Sequence, residues 1–417
     1  MIAPFRIVHE VCGIVFFPRA LFFFFMATLA VNAAPSVKSA LAQFVYFGTN
    51  TRKPPSKGIY VARFDSRDGA LAAPALAAEA TNPTFLARHP TLPVLYAVAA
   101  SRGGASANAN GGGSGGAGAG GGVVIAYKIN PETGALSQIN QVADGPTNGT
   151  YVSLSPDGRA LFTAHYSGGY MNSFPVRADG SLGECVSHIQ HTMTGAHPQQ
   201  AAPHPHCIDV SPDGRFAFVA DLSADKIFRY RIGEGATLED VGGAGKIAAE
   251  VKSGSGARHL AFSPDGRRLY LINELAATIT ACDYDGAAAS GAGALTETQT
   301  VSTVAPDFTG RRWASEIAVH PNGKFLYASN RADDESIAVF AIDASTGKLA
   351  FVQRAGGLAQ PRHFALSPDG RWLVCANQDV NDAVIFGVDA ATGKLTDARA
   401  RVSVPTCVCV LFWAGVR

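Results

Sequence analysis

A five-residue phrase recurs along this chain and limits what it can fold into. Ser155-Pro156-Asp157-Gly158-Arg159 returns as Ser211-Pro212-Asp213-Gly214-Arg215, Ser263-Pro264-Asp265-Gly266-Arg267 and Ser367-Pro368-Asp369-Gly370-Arg371. Looser copies stand at His320-Pro321-Asn322-Gly323-Lys324 and His89-Pro90-Thr91. Each copy separates two apolar runs rich in β-formers, and an Asp-Gly turn between such runs signals a hairpin. A regular repeat of this kind means one supersecondary unit stacked on copies of itself.

The unit extends beyond the hairpin. After His259-Leu260-Ala261-Phe262, the turn and Leu269-Tyr270-Leu271-Ile272, a third run follows at Thr278-Ile279-Thr280-Ala281-Cys282-Asp283-Tyr284. A Gly-rich turn and a weaker fourth run complete it. Four antiparallel strands in roughly 50 residues make a propeller blade. Six such hairpins are centred near residues 90, 156, 212, 264, 321 and 368. Phe44-Val45-Tyr46-Phe47-Gly48 matches a second strand without its first, and Cys407-Val408-Cys409-Val410 a first strand without its second. Joined, they make a seventh blade closed by both ends of the chain, which removes free sheet edges. The expected fold is all-β, a seven-bladed β-propeller over residues 36–417.

Two segments stand outside the repeat. Arg6 and Arg19 precede the apolar stretch from Leu21 to Val31, and small residues follow at Ala33 and Ala34. This is the pattern of a secretory signal over residues 1–33. It predicts an exported, periplasmic or secreted protein with no stable membrane association once the signal is cleaved. Residues 103–122 are almost all Gly, Ala, Ser and Asn, the composition of a flexible insertion between two strands of one blade. The net charge of +1 gives no basic field for nucleic acid. None of the seven cysteines forms a C-x-x-C pair, and most lie in apolar runs where a small buried thiol fits. A closed ring needs no partner subunit, so a monomer is expected.

The hairpin geometry selects candidate site residues. The start of the first strand and the end of the second lie at one end of a hairpin, so both positions should face one mouth of the central channel. The first position reads Thr84, Thr150, His206, Arg258, Ser315, Arg362 and Thr406 round the blades. The second reads Asn50, Ala100, Tyr166, Leu222, Glu274, Arg331 and Gln378, with Asn273 and Asn330 among its preceding neighbours. Three arginines, a histidine and a glutamate thus fall in consecutive blades. Guanidinium forks match carboxylate and phosphate, while Glu274 and His206 have acid/base chemistry. Arg258 and Glu274 share a blade and also suit a local ion pair. His204-Pro205-His206 offers only two ligands, too few for a metal site, so neither metal nor cofactor is expected. Asp157, Asp213, Asp265 and Asp369 are turn residues. No G-x-S-x-G elbow, H-E-x-x-H helix or phosphate-binding loop is present.

Several of these segments carry a family resemblance. They are Pro203-His204-Pro205-His206, Ala257-Arg258-His259, Ile272-Asn273-Glu274-Leu275, Arg312-Trp313-Ala314-Ser315-Glu316, Ser329-Asn330-Arg331, Pro361-Arg362 and Ala376-Asn377-Gln378. In them the chain resembles the lactonase family of seven-bladed propellers, which includes bacterial 6-phosphogluconolactonases and fungal carboxy-muconate cyclases. The resemblance runs from about Phe44 to Phe412. It implies a metal-independent lactone hydrolase acting on a small anionic sugar-acid lactone. It would make His206, Glu274, Arg258 and Arg331 catalytic, while their places at or beside the mouth make Arg362, His204, Asn273, Asn330 and Gln378 the expected substrate-binding residues. Ala99-Ala100 stands where relatives often carry Asn-Glu, which alters one wall of the mouth. A lactonising cycloisomerase using the same residues, and a non-catalytic exported binding module, are the alternatives.

Overall fold

The computed structural model describes residues 43–52, 54–101, 121–242, 246–286 and 293–415. The signal expected over residues 1–33 lies outside them, as does nearly all of the insertion expected over 103–122. The last residue of that span, Gly122, opens a strand and pairs with Ala100, so it belongs to the blade.

Seven antiparallel sheets follow one another in chain order. Blade 1 is Thr81–Arg88, Val94–Ala100, Gly122–Ile129 and Leu136–Ala143. Blade 2 is Tyr151–Leu154, Ala160–His165, Tyr170–Pro175 and Ser187–Gln190. Blade 3 is Pro205–Val210, Phe216–Asp221 and Lys226–Ile232, with an outer strand in two pieces, Leu238–Asp240 and Ile247–Glu250. Blade 4 is Ala257–Phe262, Arg268–Asn273, Thr278–Asp285 and Ala294–Ser302. Blade 5 is Ala314–Val319, Phe325–Asn330, Ser336–Ile342 and Leu349–Ala355. Blade 6 is Pro361–Leu366, Trp372–Asn377, Asp382–Val388 and Leu395–Ser403. In blade 7 the last strand, Cys407–Trp413, pairs antiparallel with the first, Gln43–Thr49. Gly58–Asp65 comes next, and the outer strand is again split, into Ala70–Leu71 and Ala75–Glu79. The innermost strands touch their neighbours all the way round.

The recurring phrase forms the first turn of its blade. In blade 4 Gly266 N–H donates to Ser263 O at 2.8 Å and Arg267 N–H to Asp265 Oδ1 at 3.1 Å. Ser263 Oγ donates to Asp265 Oδ1 at 2.6 Å and accepts from Arg268 N–H at 3.0 Å. Gly266 has φ +68°, a conformation open to glycine at little steric cost. At His320 the imidazole replaces the serine, with Nδ1 accepting from Asn322 N–H at 3.1 Å.

Apolar faces of neighbouring blades form the core, and one polar contact repeats between them. A buried tyrosine in the second strand donates its hydroxyl to a glycine carbonyl in the outer turn of the next blade. The pairs are Tyr46 to Gly134 at 2.8 Å, then Tyr96 to Gly180, Tyr270 to Gly347 and Tyr327 to Gly393, each at 2.9 Å. Five of the six described cysteines are buried free thiols, and Cys185 is exposed.

Tyr270→Phe removes one of these donors while keeping the ring volume. It should lower stability by about 1–2 kcal/mol, because a carbonyl loses its buried partner. Urea unfolding should show a lower midpoint at unchanged slope; an unchanged midpoint would mean the contact contributes nothing.

Candidate functional site

Each site side chain on the inner strands sits at a break in strand register. Ala257 pairs with Asn273 and His259 with Ile272, so Arg258 is the extra residue of a β-bulge. His206 lies in the same way between Pro205 and Cys207, and Arg362 between Pro361 and His363. In blade 5 the shift spans Ser315 and Glu316. A bulge re-aims a side chain and ends regular pairing. Here it repeats at the mouth of the channel, where Arg258, Arg362, His206 and Gln378 line one cleft with Asn50, Thr84 and Thr150.

The arginines and the glutamate form one buried network across blades 4, 5 and 6. Arg258 Nε donates to Glu274 Oε2 at 2.6 Å, and an Arg331 Nη donates to the same oxygen at 3.0 Å. Trp313 Nε1 donates to the other oxygen at 2.5 Å. The Arg331 guanidinium also lies 4.4 Å from the centre of the Trp313 ring. Arg258 reaches on to Ser315 O at 2.7 Å, and Ser315 Oγ donates to Arg362 O at 2.6 Å. Arg362 itself donates to Gln378 Oε1 at 3.4 Å.

This network sets the electrostatics. Burial pushes the Glu274 carboxyl up, but Arg331, Arg258 and the Trp313 hydrogen bond outweigh it and hold the group below its usual range. Burial, then the Arg258 charge, brings Arg362 down to about 10, still cationic at neutral pH. One carboxylate therefore faces three guanidiniums. Arg52, two residues beyond Asn50, joins Arg258 and Arg362 as a third arginine in the cleft lining.

His206 is buried, and its Nδ1 has no partner among the described residues. Burial, then Arg258, Arg362 and Arg331, keeps the imidazole well below its usual pKa and so neutral. Three residues expected to bind substrate have partners of their own within the protein. His204 stacks on Tyr166 at 3.9 Å between ring centres, and its Nδ1 donates to Tyr166 O at 2.6 Å, so it supports the mouth from behind. The Asn273 amide donates to Thr278 and Thr280 within its own blade. Asn330 is held by Thr303, Asp334 and Ser336. Both asparagines are buried and tie the end of the second strand to its neighbours.

Comparison with known proteins matches this architecture along its whole length. A family model described as lactonase, seven-bladed beta-propeller, matches residues 44–412. The chain belongs to the lactonase family of seven-bladed β-propellers. A 6-phosphogluconolactonase of Bacillus subtilis is 36% identical over 369 residues, covering 88% of this chain and 97% of the relative. The solved periplasmic gluconolactonase of Pseudomonas aeruginosa superposes with a TM-score of 0.80 at 34% identity, covering 90% of this chain and all of that one. A solved protein from Lactobacillus plantarum gives 0.76 at 30% identity, covering 89% of this chain and all of that one.

Three site residues escaped the sequence-level selection. Trp313, His259 and Glu316 lay inside the quoted segments, yet neither repeat position includes them. His259 lines the cleft directly beside Arg258.

Glu274→Gln leaves Arg258 and Arg331 buried without their counter-charge and should cost about 3–5 kcal/mol at neutral pH. The folded-state pKa of Glu274 is depressed. Its contribution is therefore present above about pH 4.5, the unperturbed value, and is lost as pH falls through the folded value. Urea midpoints across acidic pH should fall steeply for the parent protein and less for the variant. Parallel curves would show that Glu274 adds no acid-sensitive stability.

Proposed function

We propose that this protein hydrolyses an anionic sugar-acid lactone without a metal ion. The observation that carries this reading is a cleft lined by Arg258 and Arg362, with Arg258 fixed from behind by the buried Glu274–Arg331 pair. A mouth with surplus positive charge suits a carboxylate or phosphate on the substrate. Arg362, tethered to Gln378 by a single long hydrogen bond at 3.4 Å, takes the anion. Arg258, fixed on two sides by Glu274 and Ser315 O, polarises the lactone carbonyl and stabilises the oxyanion as water adds. Arg331 and Trp313 hold Glu274, which keeps Arg258 in place.

This narrows the sequence-based expectation that Glu274 and His206 share the acid/base roles. Its two oxygens accept three charge-assisted or indole hydrogen bonds, and its carboxyl is held low, which makes it a poor base at neutral pH. His206, neutral and with an unpartnered Nδ1, orients water or lactone. The relatives named 6-phosphogluconolactonase and gluconolactonase support a six-carbon aldonolactone, phosphorylated or not. The N-terminal apolar stretch and the periplasmic Pseudomonas neighbour support export, which favours a lactone whose anion is a carboxylate rather than a phosphate. The closed ring supports action as a monomer.

Purified protein should open 6-phosphogluconolactone, or a sugar lactone bearing a free carboxylate, faster than the spontaneous rate and keep doing so in chelator. Arg258→Ala should lower kcat by about 10²- to 10³-fold. Arg362→Ala should instead raise KM, by about tenfold for one lost charge-assisted contact. Turnover abolished by chelator, or unaffected by Arg258→Ala, would sink the proposed mechanism.

A further inference from the structure

One residue beyond Arg258, Ser315 and Arg362, the inner strands of blades 4, 5 and 6 carry a second set of side chains: His259, Glu316 and His363. His259 and His363 line the floor of the cleft. Both imidazoles reach one carboxylate oxygen, with His259 Nδ1 at 3.1 Å and His363 Nε2 at 3.2 Å from Glu316 Oε2. The other oxygen, Oε1, accepts from Ile317 N–H at 3.0 Å.

The hydrogen bonds assign the protons. Val410 N–H donates to His363 Nδ1 at 3.2 Å, so the His363 proton sits on Nε2, the nitrogen that lies 3.2 Å from Glu316 Oε2. His363 is thereby fixed. His259 is not, because its Nε2 is buried with no partner among the described residues. With Glu316 ionised, His259 donates through Nδ1 and leaves a lone pair on Nε2. With Glu316 protonated on Oε2, that proton is donated to Nδ1, and the imidazole proton must stand on Nε2. The two ends of His259 are thus coupled through the carboxyl group.

We infer that His259 and Glu316 form the proton relay of the hydrolytic step, with His259 Nε2 as the base that meets the attacking water. This rests on the lactone-hydrolase function proposed above. Water gives a proton to Nε2 while the Nδ1 proton passes to Glu316 Oε2. The hydroxide so formed bonds to the lactone carbonyl carbon, and Arg258 faces the oxyanion. When the ring C–O bond breaks, the leaving alkoxide takes the proton from Nε2 and Glu316 returns its proton to Nδ1. One water is consumed, the relay is restored, and the new carboxylic acid loses its proton to solvent.

The surroundings favour a relay over a lone histidine. An imidazolium at His259 would stand beside Arg258 and near Arg362, and burial with these charges keeps the ring well below its usual pKa. Passing the second proton to Glu316 means that this cation never forms. Burial pushes the Glu316 carboxyl up to about 8, against the pull of Arg258, the Ile317 N–H and Arg362 and with a small push from Asp209. Its ionised form is therefore a base matched to a pH near neutrality. Among the groups around it, burial pushes the Asp209 carboxyl up to about 7, so it ionises over the same range. Burial raises the Cys207 and Cys409 thiols and the Tyr151 phenol and lowers His363 to about 3, which keeps these four neutral.

The test combines NMR and kinetics on the same protein. Imidazole ¹⁵N spectra, with His259 assigned by its loss in His259→Gln, are followed from about two pH units below the Glu316 value to about one above. His259 should change from the Nε2–H to the Nδ1–H tautomer as Glu316 ionises, and remain neutral throughout. Turnover should rise with pH through the same transition. Glu316→Gln should lower kcat by about 10²- to 10⁴-fold with KM changed less than about twofold, and should flatten that rise. A hydrolysing parent protein whose His259 keeps one tautomer, or becomes an imidazolium, overturns the relay alone. So does full kcat in a folded Glu316→Gln variant. A parent protein that hydrolyses no lactone overturns the functional reading and with it the role of the relay.

Discussion

The pairing of Cys407–Trp413 with Gln43–Thr49 is the constraint on which the rest of the structure depends. A blade buries its faces only against neighbours on both sides. Leaving the ring open would expose the faces of two blades and the edges of their strands. Closure presses the inner strands against each other in a ring, and bulged residues of separate blades then meet at one mouth. Arg258 of blade 4 meets Arg331 and Ser315 of blade 5, and Ser315 in turn meets Arg362 of blade 6. Without closure these residues would be about 50 residues apart on an unconstrained chain, with nothing to hold like charges together.

Holding them together is expensive. Three guanidiniums withdrawn from water repel one another, and Arg331 and Arg362 both lie below their usual pKa for that reason and because of burial. Glu274 offsets part of this, with Trp313 and backbone carbonyls completing the donors' needs. Arg362 also feels the opposite charge of Asp379, and the whole arrangement suits the anionic substrate proposed above. One residue deeper the sign of the problem reverses. Glu316 has no guanidinium within hydrogen-bonding range among the described residues, so burial raises it, whereas at Glu274 the paired guanidiniums outweigh burial. Two carboxylates in adjacent blades are therefore pushed apart in pKa, one toward permanent charge and one toward proton exchange.

Much of this was legible in the residues. The Ser-Pro-Asp-Gly turns placed the hairpins, and hairpin geometry selected His206, Arg258, Glu274, Arg331, Arg362 and Gln378, which the structure does gather. The intramolecular partners of His204, Asn273 and Asn330 were not legible, because one step along a strand turns a side chain to another face, and sequence spacing alone does not reveal where a bulge interrupts that alternation. His259 and Glu316 were overlooked for the same reason. They follow bulged residues, so their direction is set by a register shift absent from the repeat pattern.

The sequence by itself determined the number of blades, the way the ring closes and the band of charge on consecutive blades, because turn chemistry and strand periodicity are local. Only the tertiary structure decided which charges pair. That Glu274 is saturated by Arg258, Arg331 and Trp313, while Glu316 is left to two imidazoles, depends on distances between separate blades and on the water excluded between them. Both are set by the packing of the ring, where a shift of one residue at a bulge changes which group a carboxylate meets.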